Sequence, residues 1–365
     1  MPSRVALGVI LAAAAVGGVA CGHGERERVR AARVSDRATV VAQRRVTPRI
    51  VDVTIRSPAL GRTAKVRLLT PAGWGSRRSG RRWPVLYLLH GCCDTYDSWT
   101  RDTDVERMRR LRDVLVVMPE GGDVGFYSDW RNGGRRGPPA WETFHLVELR
   151  RLLEERYGAG TPRAVAGLSM GGLGAMSYAA RHRGMFAAAA SFSGLLHPLG
   201  DTRLLLGLFS TYTSDPLAIW GDPDAQRSAW AAHDPTALAG RLRGTRLFVS
   251  SGNGKPGPFD RPGKARDAIE ATVGRESHAF AARLRRLGIP ATTDFYGPGT
   301  HDWPYWEREL ERSLPVLLGT ARAAGGRVTS TSGSAASGRG AGEPGRRSGG
   351  RCGGACRAGS AGDDG

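Results

Sequence analysis

Residues 163–180 read Arg-Ala-Val-Ala-Gly-Leu-Ser-Met-Gly-Gly-Leu-Gly-Ala-Met-Ser-Tyr-Ala-Ala. The run Ala164-Val165-Ala166 has the make-up of the end of a buried strand. Residues 171–180 are mostly small and apolar and read as a tightly packed helix. Ser169 falls between them, inside Gly167-Leu168-Ser169-Met170-Gly171. A serine on a sharp strand-to-helix turn adopts a backbone conformation that side chains rarely take and presents its hydroxyl outward. Glycines two before and two after remove the Cβ atoms that would collide there. No other serine in the chain satisfies this pattern.

Such an elbow belongs to the α/β-hydrolase fold and predicts companions, an acid and then a histidine, in that chain order. His301 is the expected histidine, in a loop after the strand-like run at 292–296 and before the last helix. His182 falls in the helix after the elbow, His197 and His233 precede the strand at 247–251, and His278 sits in a helical stretch. On topology alone the acid is expected to be Asp260. Asp260 is nearest the strand at 247–251, and Glu270 follows ten residues later at the start of a helix.

Several ordered segments narrow the choice. Gly167-Leu168-Ser169-Met170, Phe126-Tyr127-Ser128-Asp129-Trp130, Trp141-Glu142-Thr143-Phe144, Ser193-Gly194-Leu195-Leu196 and Ser251-Gly252-Asn253-Gly254 are among them. So are Asp234-Pro235-Thr236 and Gly299-Thr300-His301-Asp302-Trp303-Pro304-Tyr305-Trp306. Together they resemble the secreted mycolyltransferases of the antigen 85 complex, from about Arg49 to Leu318. The resemblance implies that the acid is Glu270, ten residues before Phe280 and thirty-one before His301.

The expected chemistry is acyl transfer. His301 takes the Ser169 proton as the oxygen attacks an ester carbonyl, and Glu270 orients the imidazole. Backbone N–H groups must already point at the oxyanion. Met170, the residue after the nucleophile, supplies one. The loop His90-Gly91-Cys92-Cys93 supplies the other, and the resemblance points to the Cys92 N–H. Water on the acyl-enzyme makes an esterase; a second alcohol makes an acyltransferase. The family's acceptor site uses an aspartate where this chain has His90 and an arginine where it has Cys93. His90 and Trp303 are therefore expected as substrate contacts, Trp303 by stacking on a sugar face. The partners expected are an acyl ester donor and an alcohol or sugar acceptor, with no metal and no cofactor. A non-catalytic surface binding protein of the same fold is the third reading, and the matched Ser169, Glu270 and His301 argue against it.

Cys21, Cys92, Cys93, Cys352 and Cys356 form an odd set with no closed disulfide framework. Cys92 and Cys93 are expected as reduced thiols packed near the site. Cys352 and Cys356 lack the second pair that a metal site needs. The 365 residues carry a formal charge of +19, and about half of it lies outside the expected catalytic segment. Lysine occurs only at 65, 255 and 264, so the basicity is that of arginine. No nucleic-acid module with a basic, aromatic face is present; contact with an anionic cell envelope suits the charge better.

Arg4 followed by the apolar run 5–20 has the length of an export signal. Cys21 after Gly18-Val19-Ala20 resembles a lipoprotein box. The expected organisation is a leader at 1–20, an arginine-rich linker at 21–48, one catalytic domain at 49–319, and a Gly/Ser/Arg tail at 320–365 lacking periodicity. No transmembrane span is expected after processing, and a secreted or envelope-associated location follows. Strand-like runs at 49–56, 65–69, 85–90, 114–118, 164–167, 187–193, 247–251 and 292–296 alternate with helical stretches at 141–157, 170–183 and 264–287. That alternation predicts a mainly parallel sheet covered on both faces. Residues 201–240 are expected to form a helical insertion over the site, with Trp130, Trp141, Trp220 and Trp230 more at home in the core than on its walls.

Overall fold

A nine-stranded sheet forms the spine, in the order β1-β2-β3-β5-β4-β6-β7-β8-β9. The strands are β1 Thr39–Arg45, β2 Ile50–Ser57, β3 Arg62–Leu69, β4 Trp83–Leu89, β5 Leu115–Pro119, β6 Ala159–Leu168, β7 Ala188–Phe192, β8 Arg246–Gly252 and β9 Thr292–Gly297. This computed structural model describes residues 37–76 and 80–319. The expected leader, the lipidation site at Cys21, the pair Cys352 and Cys356, and the tail from 320 onward lie outside the described residues.

Pairing from β4 and β5 through β9 is parallel. The β1–β2, β2–β3 and β3–β5 pairs are antiparallel. The central parallel strands β4, β5 and β7 are mostly apolar and buried, because both faces are covered, whereas the edge strand β9 is exposed or half-buried along its length. Along β4, Val85, Tyr87 and Leu89 join the core on one face, and Leu86 and Leu88 join the core on the other. The period of two in side-chain direction sorts them this way.

Five helices exceed ten residues: α1 over residues 141–157, α2 Met170–Arg181, α3 Thr202–Tyr212, α4 Ala268–Arg286 and α5 Trp303–Leu318. Leu173 and Met176 of α2 and Val273, Phe280 and Leu284 of α4 pack on the first face. Trp306, Leu310, Leu314 and Leu317 of α5, spaced at three and four residues, pack on the second. Each fully buried leucine contributes about 1.5–3 kcal/mol. Helix α1 contains π-helical turns at Phe144–Leu149 and Leu153–Tyr157 and ends at Gly158, whose φ of 76° no branched residue would tolerate.

Two boundaries differ from the sequence reading. The linker expected over 21–48 contains β1, so the sheet begins ten residues earlier than residue 49. Among the described residues its only neighbour is β2, and six of its seven residues are exposed; an edge strand shows no apolar alternation to read. Helix α4 begins at Ala268 rather than at Lys264, because the Asp267 carboxylate caps it by accepting the Glu270 N–H at 2.9 Å. In the insertion, α3 is followed by short helical turns, and Trp220 and Trp230 are buried as expected.

Candidate active site

Ser169 joins β6 to α2 with φ 52° and ψ −121°, a conformation that costs free energy and is held by its surroundings. Its N–H donates to Phe192 O at 3.0 Å, and its carbonyl accepts from the Gly172 and Leu173 N–H groups. A Cβ on Gly167 would lie 2.3 Å from Gly171 O, and one on Gly171 would lie 2.5 Å from Leu89 O. Those contacts explain both glycines: backbone approaches backbone where no side chain fits.

Glu270 and His301 meet across two elements. Glu270 sits in the first turn of α4 with its side chain fully buried. Its Oε2 lies 2.8 Å from His301 Nδ1. Its Oε1 accepts hydrogen bonds from Gly252 N–H at 2.6 Å, Ser193 Oγ at 2.9 Å and Tyr296 OH at 3.4 Å. Four partners hold one carboxylate, which leaves it little rotational freedom. Asp267 adds a brace, since its second oxygen accepts the His301 N–H at 3.0 Å. Burial works to raise the Asp267 carboxyl, but the N–H groups of Glu270 and His301 outweigh that and hold it below the usual range.

Ser169 and His301 open onto one cavity of 380 Å³. No hydrogen bond joins Ser169 Oγ to the outer ring nitrogen of His301 here; such contacts are often long until substrate binds. The cavity wall is apolar. Leu204, Leu205 and Leu208 of α3, Val273 of α4, and Trp303 and Trp306 of α5 form most of it. The insertion at 201–240 thus reaches the site through one leucine-rich helix. Trp303 stands in this wall, edge-on to Trp99 and Trp306.

The loop after β4 forms the opposite lip. A Cβ on Gly91 would stand 3.4 Å from the Ser169 Cβ, so the 91–92 peptide runs beside the nucleophile. Cys92 and Cys93 both line the cavity. Their sulfurs are joined in a disulfide, contrary to the reduced thiols expected from sequence. The left-handed turn at Cys93, φ 64°, brings the neighbouring side chains together. Met170 opens α2, and the first N–H groups of a helix have no intrahelical acceptor.

His90 is a correction. Expected to touch substrate, it is 1% exposed and absent from the cavity wall. Gly121 N–H donates to its Nε2 at 2.8 Å, so Nδ1 carries the proton and donates to Gly91 O at 2.7 Å. Burial lowers its pKa and keeps the ring neutral. Its work is to tie the lip loop to the segment after β5.

Asp260, the acid that topology favoured, does not reach His301. Burial acts to raise its carboxyl, but bonds from Lys264, Thr300, Tyr305 and Gly257 hold it far below the usual range. Through Thr300 and Lys264, which also bonds Asp302, it braces the loop that carries His301. Sequence reading missed Ser193, Asp267 and Tyr296. The spacing of Asp267 and Glu270 was a legible signal, since an N-cap acid three residues before a glutamate marks a helix start. Here the glutamate turns inward to the histidine instead of back to the cap.

An elbow serine, a histidine and a buried carboxylate at the C-terminal edge of a parallel sheet define a serine esterase or acyltransferase of the α/β-hydrolase fold. Residues 57–317 match the family described as "Putative esterase". The chain is 33% identical to the diacylglycerol acyltransferase/mycolyltransferase Ag85A of Mycobacterium ulcerans, over 73% of its own length and 80% of the relative's. It is equally 33% identical to Ag85B of Mycolicibacterium smegmatis, over 72% and 82%. Its structure is similar to that of MPT51 (FbpC1) of Mycobacterium tuberculosis, with a TM-score of 0.58 and 27% identity, over 73% of this chain and 96% of that one. The chain belongs to this esterase family, to which these diacylglycerol acyltransferases/mycolyltransferases are similar. Among the described residues, no helix is long and apolar enough to cross a membrane.

Proposed function

We propose that Ser169, His301 and Glu270 form the catalytic triad of an exported acyltransferase and esterase. The observation that carries this reading is the 2.8 Å contact of Glu270 with His301, beside an apolar cavity that also holds Ser169. His301 Nε2 takes the Ser169 hydroxyl proton as Oγ attacks the ester carbonyl. The Cys92 and Met170 N–H groups receive the oxyanion. Collapse expels the donor's alcohol, which leaves with the proton held on His301. The acyl-enzyme is then attacked by an incoming hydroxyl, whose proton passes to His301 and back to Ser169.

The acyl chain lies along Leu204, Leu205, Leu208 and Val273, a wall with little to offer a sugar. The acceptor is an alcohol or water. One observation favours water: the two acceptor residues of the mycolyltransferases are replaced by His90, which is sealed away, and by Cys93, which is bonded to Cys92. Export rests on the apolar run at 5–20 and the basic residue before it, and cell-envelope contact rests on the arginine excess. Simple signal cleavage near residues 17–20 and lipid attachment at Cys21 are the two alternatives for processing.

The test is turnover of a short p-nitrophenyl ester by the chain and by Ser169→Ala, with and without trehalose or glycerol. Nitrophenol release with acylated alcohol establishes a transferase, and release with free acid alone establishes an esterase. A Ser169→Ala chain as active as the parent overturns the triad and returns the binding-protein reading.

A further inference from the structure

We propose that the segment from Lys255 to Ile269 docks the enzyme on an anionic lipid surface, so that an acyl donor passes from that surface into the cavity. This rests on the reading of that cavity as the acyl site. Ile269 carries the argument first. It is 61% exposed, the most exposed large apolar residue described, and it also lines the cavity. Phe259, ten residues earlier, is 47% exposed, packed edge-to-face with the Tyr305 ring at 5.1 Å and with the Arg308 guanidinium 5.5 Å from its ring centre. Leu204, on α3 across the cavity, is 48% exposed and lines it as well. Exposed apolar residues continuous with an apolar cavity mark a surface that water does not normally face.

Charge in the same segment selects the partner. Lys255, Arg261 and Arg266 are exposed and form no ion pair among the described residues. The acids of the segment are occupied within the fold: Asp260 by Lys264, Thr300 and Tyr305, and Asp267 by the N–H groups of Glu270 and His301. Half-buried Asp302 is answered by Lys264. Unpaired cations interleaved with exposed Phe and Ile suit the boundary between anionic headgroups and acyl chains, where cations stay at headgroup depth and apolar side chains insert. The segment is fastened beside the site, because Lys264 bonds Asp302, the cap of α5, and Asp267 bonds His301.

The full chain is tested for co-sedimentation with phosphatidylcholine vesicles, with and without phosphatidylglycerol, and for turnover of monomeric p-nitrophenyl acetate. Three variants are compared with it: Phe259→Ser, the triple Phe259→Ser/Arg261→Gln/Arg266→Gln, and a charge-matched control, Arg285→Gln/Arg286→Gln, at the far end of α4. The triple variant is expected to bind phosphatidylglycerol vesicles at least tenfold more weakly, since each cation near such a surface is worth about fivefold. The control changes less than twofold, and acetate turnover is the same in all four chains. Phe259→Ser alone weakens vesicle binding several-fold and leaves binding to soluble dextran sulfate unchanged. Equal losses in the triple variant and the control overturn the proposal, as does a Phe259→Ser chain that binds vesicles like the parent, which makes the partner a soluble polyanion. A parent chain that docks through this segment but lacks esterase turnover refutes the acyl-transfer reading and upholds the docking.

Discussion

Glu270 Oε2 lies 2.8 Å from His301 Nδ1, although the two residues sit on different elements and thirty-one positions apart. Glu270 is fully buried in that contact and the His301 side chain is 13% exposed, while Asp260, nearer the end of β8 in sequence, is committed to Lys264 and Tyr305. Glu270→Gln is therefore expected to lower kcat for a p-nitrophenyl ester by about 10³–10⁴, with KM little changed. Asp260→Asn is expected to keep kcat within about tenfold and to lower the melting temperature instead. Steady-state kinetics of the two variants decide between the acids, and the reverse ranking would reinstate Asp260.

How much of this was legible beforehand follows from what each residue leaves in the sequence. The elbow could be read because two glycines and a serine flank a change of period, and each letter answers a steric demand. The eight strands β2 to β9 each left a strand-like run in the sequence. β1 left none, because an edge strand with exposed arginines resembles a linker. Glu270 was singled out only through a family resemblance, since a buried acid on a helix looks like a surface acid until its partner is placed. His90 misled for the same reason: the sequence shows the histidine but not the Gly121 N–H that occupies it.

His90 yields a prediction about stability rather than specificity. Removing its ring leaves the Gly121 N–H without its acceptor inside the protein, which costs about 1–3 kcal/mol before any cavity is counted. His90→Ala should therefore unfold at lower urea concentration. Its ratio of acyl transfer to hydrolysis, measured with glycerol as acceptor, should match the parent. A changed ratio with unchanged stability would restore His90 to the substrate site.

Gly171→Ala tests the elbow. The added methyl would stand 2.5 Å from Leu89 O and 2.6 Å from His90 O, both backbone atoms that cannot swing aside. The expected cost is about 2–4 kcal/mol, with the lip loop pushed away from Ser169. Thermal unfolding and ester turnover should both fall. Gly207→Ala on α3, with open space at that position, should leave unfolding unchanged or slightly improved.

Glu309 on α5 predicts a pH dependence of stability. Its side chain is fully buried, Oε1 accepts from Arg308 at 2.8 Å, and Oε2 has no partner. Burial raises its carboxyl to about 7, against the pull of Arg308 and Arg312. The folded state then holds this proton more tightly than the unfolded chain, so stability falls as pH rises from about 4.5 to 7 and is level beyond. Glu309→Gln should match the parent at pH 4 and exceed it by about 2–3 kcal/mol at pH 8. Urea titrations at the two pH values check this, and an equal difference at both would refute it.

The outer rim of β1 carries a consequence for the crowded life of an arginine-rich chain. Among the described residues its outer edge has no partner strand, and such an edge offers backbone groups to any passing strand, which is how sheets zip into aggregates. Arg44 and Arg45 stand exposed along that strand, with the register already slipped between Val40 and Ala42. Two such edges meeting would set arginines against arginines across a kinked seam. The charge that looks like surplus in the composition serves there as a guard on solubility, keeping each sheet to itself.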